Sequence, residues 1–207
     1  MIAASLWLGK PWRYGLAAVI GVAELAMLAI AFNPTVGPTY RARYIDGTSD
    51  CWLQPVSGEY ALGTKLDASV TGDAAALRRL LRCGWFDPGA NGTWSQGGET
   101  ELRFRLDGPR EALALELDLA PFGIAFGLEQ RVVVSAGGIE LGSFTLATEP
   151  PSPHVIPIPA TTPLTADGYL DIALALPDAV APKSLGINQE PRRLAVRLIS
   201  LRLAPAP

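Results

Sequence analysis

The chain has 207 residues and a formal net charge of −3, with 49% hydrophobic and 18% charged residues. Its lysines and arginines are scattered, and this mild acidity argues against the basic surface of a nucleic-acid-binding protein. After its longest apolar stretch, roughly 170 residues follow, which is enough for one well-buried domain. The 21 glycines and 18 prolines predict short strands joined by tight turns.

The longest apolar stretch, Gly15 to Phe32, reads GLAAVIGVAELAMLAIAF. A run of about 18 such residues is near the lower limit for a helix that spans a bilayer. Aromatic and basic side chains precede it, as a membrane–water interface favours, and we predict that they form an interface belt: Trp7, Lys10, Trp12, Arg13 and Tyr14. The predicted organisation is a cytoplasmic head (1–14), a transmembrane helix (15–32), a linker (33–39) and an exported domain (40–207).

The orientation and the fate of this segment have two interpretations. Arg41 and Arg43 follow the apolar run, so the charge bias is weak, and we place the N-terminus in the cytoplasm because a β-rich domain with a cysteine pair suits export. Ala29-Ile30-Ala31 also fits the small-x-small rule of a cleavable signal peptide. The length of the run and the acid Glu24 favour a retained anchor. We therefore predict a bacterial inner-membrane protein with a periplasmic C-terminal domain.

Glu24 lies near the middle of the predicted span. An ionisable group at bilayer depth costs a few kcal/mol and usually faces protein or water. Small residues on nearby faces, Gly21 and Ala17 among them, would allow a neighbouring helix to approach closely. We interpret Glu24, Gly21 and Ala17 as a contact with another membrane subunit; the alternative is that a single-pass helix tolerates the acid.

The region after the linker is predicted to be mainly β. Residues 40–45 and 60–62 read as strands, and a short helix is predicted over 74–83, capped by Asp73. From Thr100 onwards, apolar and polar residues alternate, which predicts strands near 102–106, 113–119, 131–136, 139–147, 155–158, 170–176 and 194–203. We therefore expect a jelly-roll-like β-sandwich with one short helix.

The two cysteines, Cys51 and Cys83, both follow the apolar stretch. On an oxidising side of the membrane they predict one disulfide that closes a loop of about 32 residues. Two free buried thiols are the alternative, and the spacing does not indicate a metal site.

Two motifs carry a resemblance to a known family. The first is Cys83-Gly84-Trp85 with Gly92-Thr93-Trp94-Ser95 and Leu102-Arg103-Phe104; the second is Ala181 to Gly186 with Glu190 to Leu194. Over Gly84 to Leu203 the chain resembles an uncharacterised β-sandwich module that is often appended to bacterial membrane glycosyltransferases or phosphoglycerol-transferase-like proteins. The resemblance implies a sandwich fold and a glycan context, although this chain carries no transferase domain.

Glycan binding needs exposed aromatic rings with polar groups beside them. The candidates for stacking are Trp85, Trp94 and Trp52, with Tyr60, Phe86, Asp87, Asn91 and Gln96 as further residues nearby. The alternative is that these rings pack the core. We find no catalytic constellation: His154 is the single histidine, and no serine or cysteine has the context of a nucleophile.

The sequence thus favours a non-catalytic accessory subunit of a membrane complex, with no cofactor and no metal. Its expected partners are the lipid bilayer and membrane subunits that contact the helix, and nucleic acid is not among them. The alternative is a membrane-tethered carbohydrate-binding module for envelope glycan assembly.

Overall fold

The computed structural model describes residues 10–32, 36, 40–41, 44–45, 51–108, 111–148 and 152–206. These fall into two compact units, Met1–Pro38 and Thr39–Pro207. The helices are α1 (Lys10–Phe32) and α2 (Thr71–Arg78), and two 3-10 turns cover Ile124–Phe126 and Pro182–Leu185. The strands are β1 (Lys65–Asp67), β2 (Leu81–Cys83), β3 (Thr93–Trp94), β4 (Glu99–Arg105), β5 (Leu113–Pro121), β6 (Gln130–Ala136), β7 (Ile139–Leu146), β8 (His154–Ile158), β9 (Tyr169–Ala175) and β10 (Val196–Pro205).

The first unit contains α1, whose 23 residues give a length of about 34 Å at 1.5 Å per residue. Its segment Tyr14–Phe32 is long and apolar enough to cross a membrane, and it is unburied. The helix begins at Lys10, so part of the predicted head continues the apolar helix. Trp7 lies outside the described residues.

The second unit is a sandwich of two antiparallel sheets. The described strands of sheet A run β1-β10-β5-β8, with β3 also paired to β10, and those of sheet B run β2-β4-β9-β6-β7. Successive strands alternate between the sheets except for the β6–β7 hairpin, as in a jelly roll. The predicted mainly β, jelly-roll-like sandwich with an N-terminal apolar helix is confirmed.

Alternation along each strand builds the core between the sheets. In β4, Leu102 and Phe104 are buried while Arg103 points outwards, and β5 buries Leu115 and Leu117 on the same principle. Each such side chain stabilises the fold by about 1.5–3 kcal/mol relative to full exposure. The hairpin turn is Gly137-Gly138, where both residues have positive φ values of 56° and 79°, as a two-residue hairpin turn requires.

Three local predictions are wrong. Tyr40 and Tyr44 each have helical backbone instead of extended backbone, and their rings lie 4.7 Å apart. The expected strand at 60–62 is replaced by β1 three residues later. The helix predicted over 74–83 ends at Arg78, because the next residues pair with β4 as strand β2, where Cys83 lies beside Glu101.

Candidate functional site: an aromatic cleft beside strand β2

An open cleft of about 520 Å³ lies beside β2, and we call it the Trp85 cleft. Its walls come from the irregular segment 52–56, from the turn that follows β2, and from the end of α2. Aromatic rings and hydrogen-bonding groups line it together: Trp52, Gln54, Arg78, Trp85, Phe86, Asp87 and Gln96. The cleft therefore combines apolar ring faces with polar groups, as small-molecule sites commonly do.

The turn after β2 depends on Gly84. This residue has a φ of 70°, in the left-handed region, and a Cβ there would collide with the Glu99 carbonyl oxygen and lie 2.8 Å from the Cα of Thr100. Only glycine satisfies both requirements. Beyond the turn, the Phe86 N–H donates to the Trp94 carbonyl at 2.9 Å and the Gln96 N–H donates to the Gly84 carbonyl at 2.6 Å. These bonds fix the backbone that carries Trp85 and Phe86.

Trp85 and Phe86 are each held by a further contact. The indole N–H of Trp85 donates to the Glu101 carbonyl at 3.3 Å, which orients a half-buried ring. The guanidinium of Arg192 lies over the Phe86 ring at 4.3 Å and donates two hydrogen bonds to Glu190, at 2.6 and 2.5 Å. These bonds lower the pKa of Glu190 and raise that of Arg192. Arg192 of the second sequence motif therefore contacts the ring of Phe86, the residue that follows Trp85 of the first motif.

The segment 52–56 is attached to β2 by the disulfide. Cys51 and Cys83 are bonded, with their Cα atoms 4.7 Å apart. The next residue, Trp52, meets the ring of Tyr44 edge-on at 5.7 Å. The predicted disulfide is present and brings Trp52 into the same cleft as Trp85.

The polar groups of the cleft are mostly accessible to solvent. Gln54 and Asp87 are exposed and Gln96 is half-buried. Arg78 and Asp87 form an ion pair at 3.1 Å, and such an exposed pair contributes little to stability. These amide, carboxylate and guanidinium groups can donate to and accept from hydroxyl groups.

A network of four charged residues lies on the outer face of sheet B, and one of them is Glu101, whose carbonyl accepts the indole N–H of Trp85. Arg82 bonds to Glu101 and to Asp171, and Arg103 donates two bonds of 2.7 Å to Asp171. Burial raises the pKa of Glu101, although the neighbouring Arg82 opposes this, and the hydrogen bonds to Asp171 raise the pKa of Arg103. The Arg103 guanidinium also lies 4.5 Å from the centre of the Tyr169 ring. We call Arg82, Glu101, Arg103 and Asp171 the Arg82 network. Its bonds join β2, β4 and β9, and its two positive and two negative charges balance.

The structure places the other predicted stacking residues elsewhere. Trp94 does not line the cleft: its ring packs edge-on against Phe122 at 5.7 Å and under Arg197 at 5.2 Å. Tyr60 packs its ring against Phe104 and accepts a hydrogen bond from the Leu203 N–H. Asn91 is exposed in the tight turn between Gly89 and Gly92.

Gln54 was not singled out from the sequence, and neither Arg78 nor Arg192 was assigned to a site. The predicted disulfide was a signal for Gln54, because it lies three residues from Cys51. Arg78 falls within the segment predicted as a short helix, 74–83, where no sequence pattern marks it as a site residue. No local pattern relates Arg192 to Phe86, which is more than one hundred residues away in the chain.

Ala17, Gly21 and Glu24 lie at helical spacings of four and three residues, which places them near one face of α1. Ala17 and Glu24 are exposed within the first unit, and a Cβ on Gly21 would meet nothing within 4 Å. Trp12 and Tyr14 in the first turns are 73% and 74% exposed. The side chains of Lys10 and Arg13 lie outside the described set.

Neither metal binding nor histidine chemistry is assembled among the described residues. Cys51, Cys83 and Glu101 lie close enough to form a ligand cluster, but both sulfurs are engaged in the disulfide. His154 lies on β8, where its ring stacks on Phe144 at 3.9 Å, and burial lowers its pKa.

Neither the family models nor the curated proteins match this chain. Solved structures show a distant likeness. The CBM36-1 domain of a multidomain xylanase from the hindgut metagenome of Trinervitermes trinervoides aligns with a TM-score of 0.41 and 13% identity, over 70% of this chain and 98% of that domain. A carbohydrate-binding module CBM36 in complex with calcium and xylotriose aligns with a TM-score of 0.37 and 14% identity, over 68% of this chain and 99% of that module. The family GH115 4-O-methyl-α-glucuronidase BtGH115A aligns with a TM-score of 0.41 and 14% identity, over 75% of this chain and 19% of that enzyme.

Proposed function

We propose that this chain is a membrane-tethered, non-catalytic glycan-binding module that holds a sugar chain in the Trp85 cleft. The observation that carries the proposal is the convergence of Trp52, Trp85 and Phe86 on one open cleft. Rings of this kind present a large, rigid apolar face, which matches the C–H face of a pyranose. The amides of Gln54 and Gln96 supply donors and acceptors for the sugar hydroxyls at the ring edges.

The setting is inferred from the rest of the chain. Helix α1 would anchor the module in a bacterial inner membrane with its N-terminus in the cytoplasm. The sandwich would then lie in the periplasm, where the Cys51–Cys83 disulfide forms readily. The resemblance of Gly84 to Leu203 to modules appended to membrane glycosyltransferases supports envelope glycan assembly as the process.

Binding to a panel of neutral and acidic soluble polysaccharides tests this proposal. The full-length chain in detergent micelles is titrated calorimetrically, and retained polysaccharides are compared between wild type, Trp85→Ala and Trp94→Ala. We expect Trp85→Ala to weaken binding by about tenfold or more, equivalent to about 1.4 kcal/mol. Trp94→Ala is the matched control, since its ring packs against Phe122 outside the cleft. Absence of binding to every polysaccharide, or equal losses in both variants, would contradict the proposal.

A second candidate function rests on Glu24. Its carboxyl group is exposed in the middle of a helix that is otherwise suited to lipid, and burying it in a bilayer costs about 2.5–3.5 kcal/mol. A helix of another membrane subunit that approaches along Gly21 and Ala17 would supply a hydrogen-bonding partner. The chain would then also be an accessory subunit of a membrane complex.

Gentle detergent extraction followed by size fractionation tests this second function. We expect the chain to co-purify with a larger complex, and Glu24→Leu to release it. Val22→Ala is the control. Position 22 is two residues from Glu24, a rotation of about 200° around the helix axis, so it lies on the far side of α1. Migration of the wild-type chain by itself would exclude the subunit role and leave the glycan proposal intact.

A further inference from the structure

One wall of the Trp85 cleft, residues 51–56, has no regular secondary structure. Leu53, Gln54 and Pro55 are exposed. Its backbone is tied to β2 by a hydrogen bond of 2.6 Å from the Gln54 N–H to the Arg82 carbonyl. The covalent tie is the Cys51–Cys83 disulfide.

The buried core does not hold this wall in place. The core cluster begins at Leu66, and most of its members lie on the strands or on α2 and its C-terminal end. The nearest preceding residue that packs against it is Tyr60, four residues beyond the wall. The other wall, which carries Trp85 and Phe86, is fixed to Trp94 and Gln96 by backbone hydrogen bonds. The two walls are therefore secured by different means.

We propose that the Cys51–Cys83 disulfide is a redox switch for the cleft, an inference that rests on the proposed glycan-binding function. In the oxidised chain the disulfide keeps Trp52 in the cleft with Trp85. In the reduced chain the segment 51–56 keeps the Gln54–Arg82 hydrogen bond and the ring contact of Trp52 with Tyr44. Its covalent tie to β2 is gone, so it moves away from Trp85 and the two-walled cleft is lost. The sandwich, whose core excludes this segment, stays folded.

The reductant is a dithiol, and burial decides which sulfur it attacks. Cys83 is only 3% exposed and its Sγ lies 3.8 Å from a Glu101 carboxylate oxygen, whereas Cys51 is half-buried. One reductant thiolate attacks Sγ of Cys51, the sulfur–sulfur bond breaks, and Cys83 leaves as a thiolate that takes a proton from water. The second reductant thiolate then displaces Cys51. The disulfide gains two electrons and two protons, and the dithiol becomes a disulfide.

Hydrogen exchange tests the structural step without any glycan. The full-length chain in micelles is compared oxidised, reduced with dithiothreitol, and as the Cys51→Ala/Cys83→Ala variant. We expect peptides within 51–60 to exchange about tenfold faster or more after reduction, whereas peptides from β5 keep their protection. The exchange rates of the variant should match those of the reduced chain and should not change when dithiothreitol is added. Reoxidation of the wild type should restore slow exchange.

Glycan binding then tests the consequence for function. A polysaccharide retained by the oxidised chain should bind about tenfold more weakly after reduction, because ordering the freed segment costs free energy. Unchanged exchange at 51–60 would overturn the switch whatever the glycan result. Faster exchange with unchanged affinity would also overturn it, and would leave the proposed function standing. If no polysaccharide binds the oxidised chain, the proposed glycan-binding function is wrong. The disulfide then cannot regulate glycan binding, whatever the exchange result shows.

Discussion

Asp171 is the residue of the Arg82 network whose replacement should cost most. Its carboxylate accepts two bonds of 2.7 Å from Arg103 and another from Arg82, so it links β9 to β4 and to β2. The side chains involved are 15–19% exposed. Asp171→Asn keeps the shape but removes the charge and leaves two guanidinium groups facing an amide. Because the site is partly hydrated, we expect a loss of about 2–3 kcal/mol, below the 3–5 of a fully buried pair.

Asp107→Asn provides the matched control. Asp107 pairs with Arg105 of β4 at 3.2 Å, but the two side chains are 80% and 55% exposed, so its loss should cost less than about 0.5 kcal/mol. Urea denaturation of the full chain in micelles gives both free energies of unfolding. For a domain of this size the midpoint temperature should fall by about 5–10 °C for Asp171→Asn. Equal costs for the two variants would refute the reasoning that partial burial strengthens the network.

Three further outcomes follow from single sites. Burial lowers the pKa of His154, so as the pH falls this histidine takes up a proton in the unfolded chain before it does so in the folded chain. The free energy of unfolding should therefore fall as the pH drops from 7 towards 5. Denaturation of His154→Gln at several pH values should show a smaller fall. Gly84→Ala should cost about 3 kcal/mol because backbone collision adds to left-handed strain, whereas Gly138→Ala, whose Cβ meets nothing within 4 Å, should cost about 1 kcal/mol by urea denaturation; similar costs would contradict the collision. Cys51→Ala/Cys83→Ala should lower the free energy of unfolding by about 3–4 kcal/mol, because the disulfide closes a separation of 32 residues; a loss below about 1 kcal/mol would show that the loop is already restricted in the unfolded chain.

The sandwich was predictable wherever one face of a strand is buried. Alternation identified β4, β5 and β9 because a half-buried strand repeats every two residues. The Gly137-Gly138 hairpin was equally clear, since its turn needs two positive φ values. Residues 79–83 were misassigned because a leucine and arginine pattern also fits an amphipathic helix. Pairing with β4, a distant segment, decides the conformation there.

The cleft was predictable in part. Trp52 and Trp85 were candidates, and the expected disulfide brings their segments together. Trp94 was grouped with them because it is near in sequence, but its neighbours Thr93 and Ser95 are both fully buried. Alternation therefore turns the Trp94 ring to the outer face of sheet A, where it meets Arg197. Only the register of β3 on β10 reveals this.

The position of β10 sets the order in which the domain can fold. This strand pairs with β1, β3 and β5, and Lys65 near one end of the domain is bonded in register with Arg202. Until residues 196–205 have left the ribosome, β1 and β3 have no described partner in their sheet, and β5 has only β8. Contacts between such distant segments form slowly. Sheet A is therefore completed only after β10 has emerged, whereas all five described strands of sheet B precede β10 in the chain.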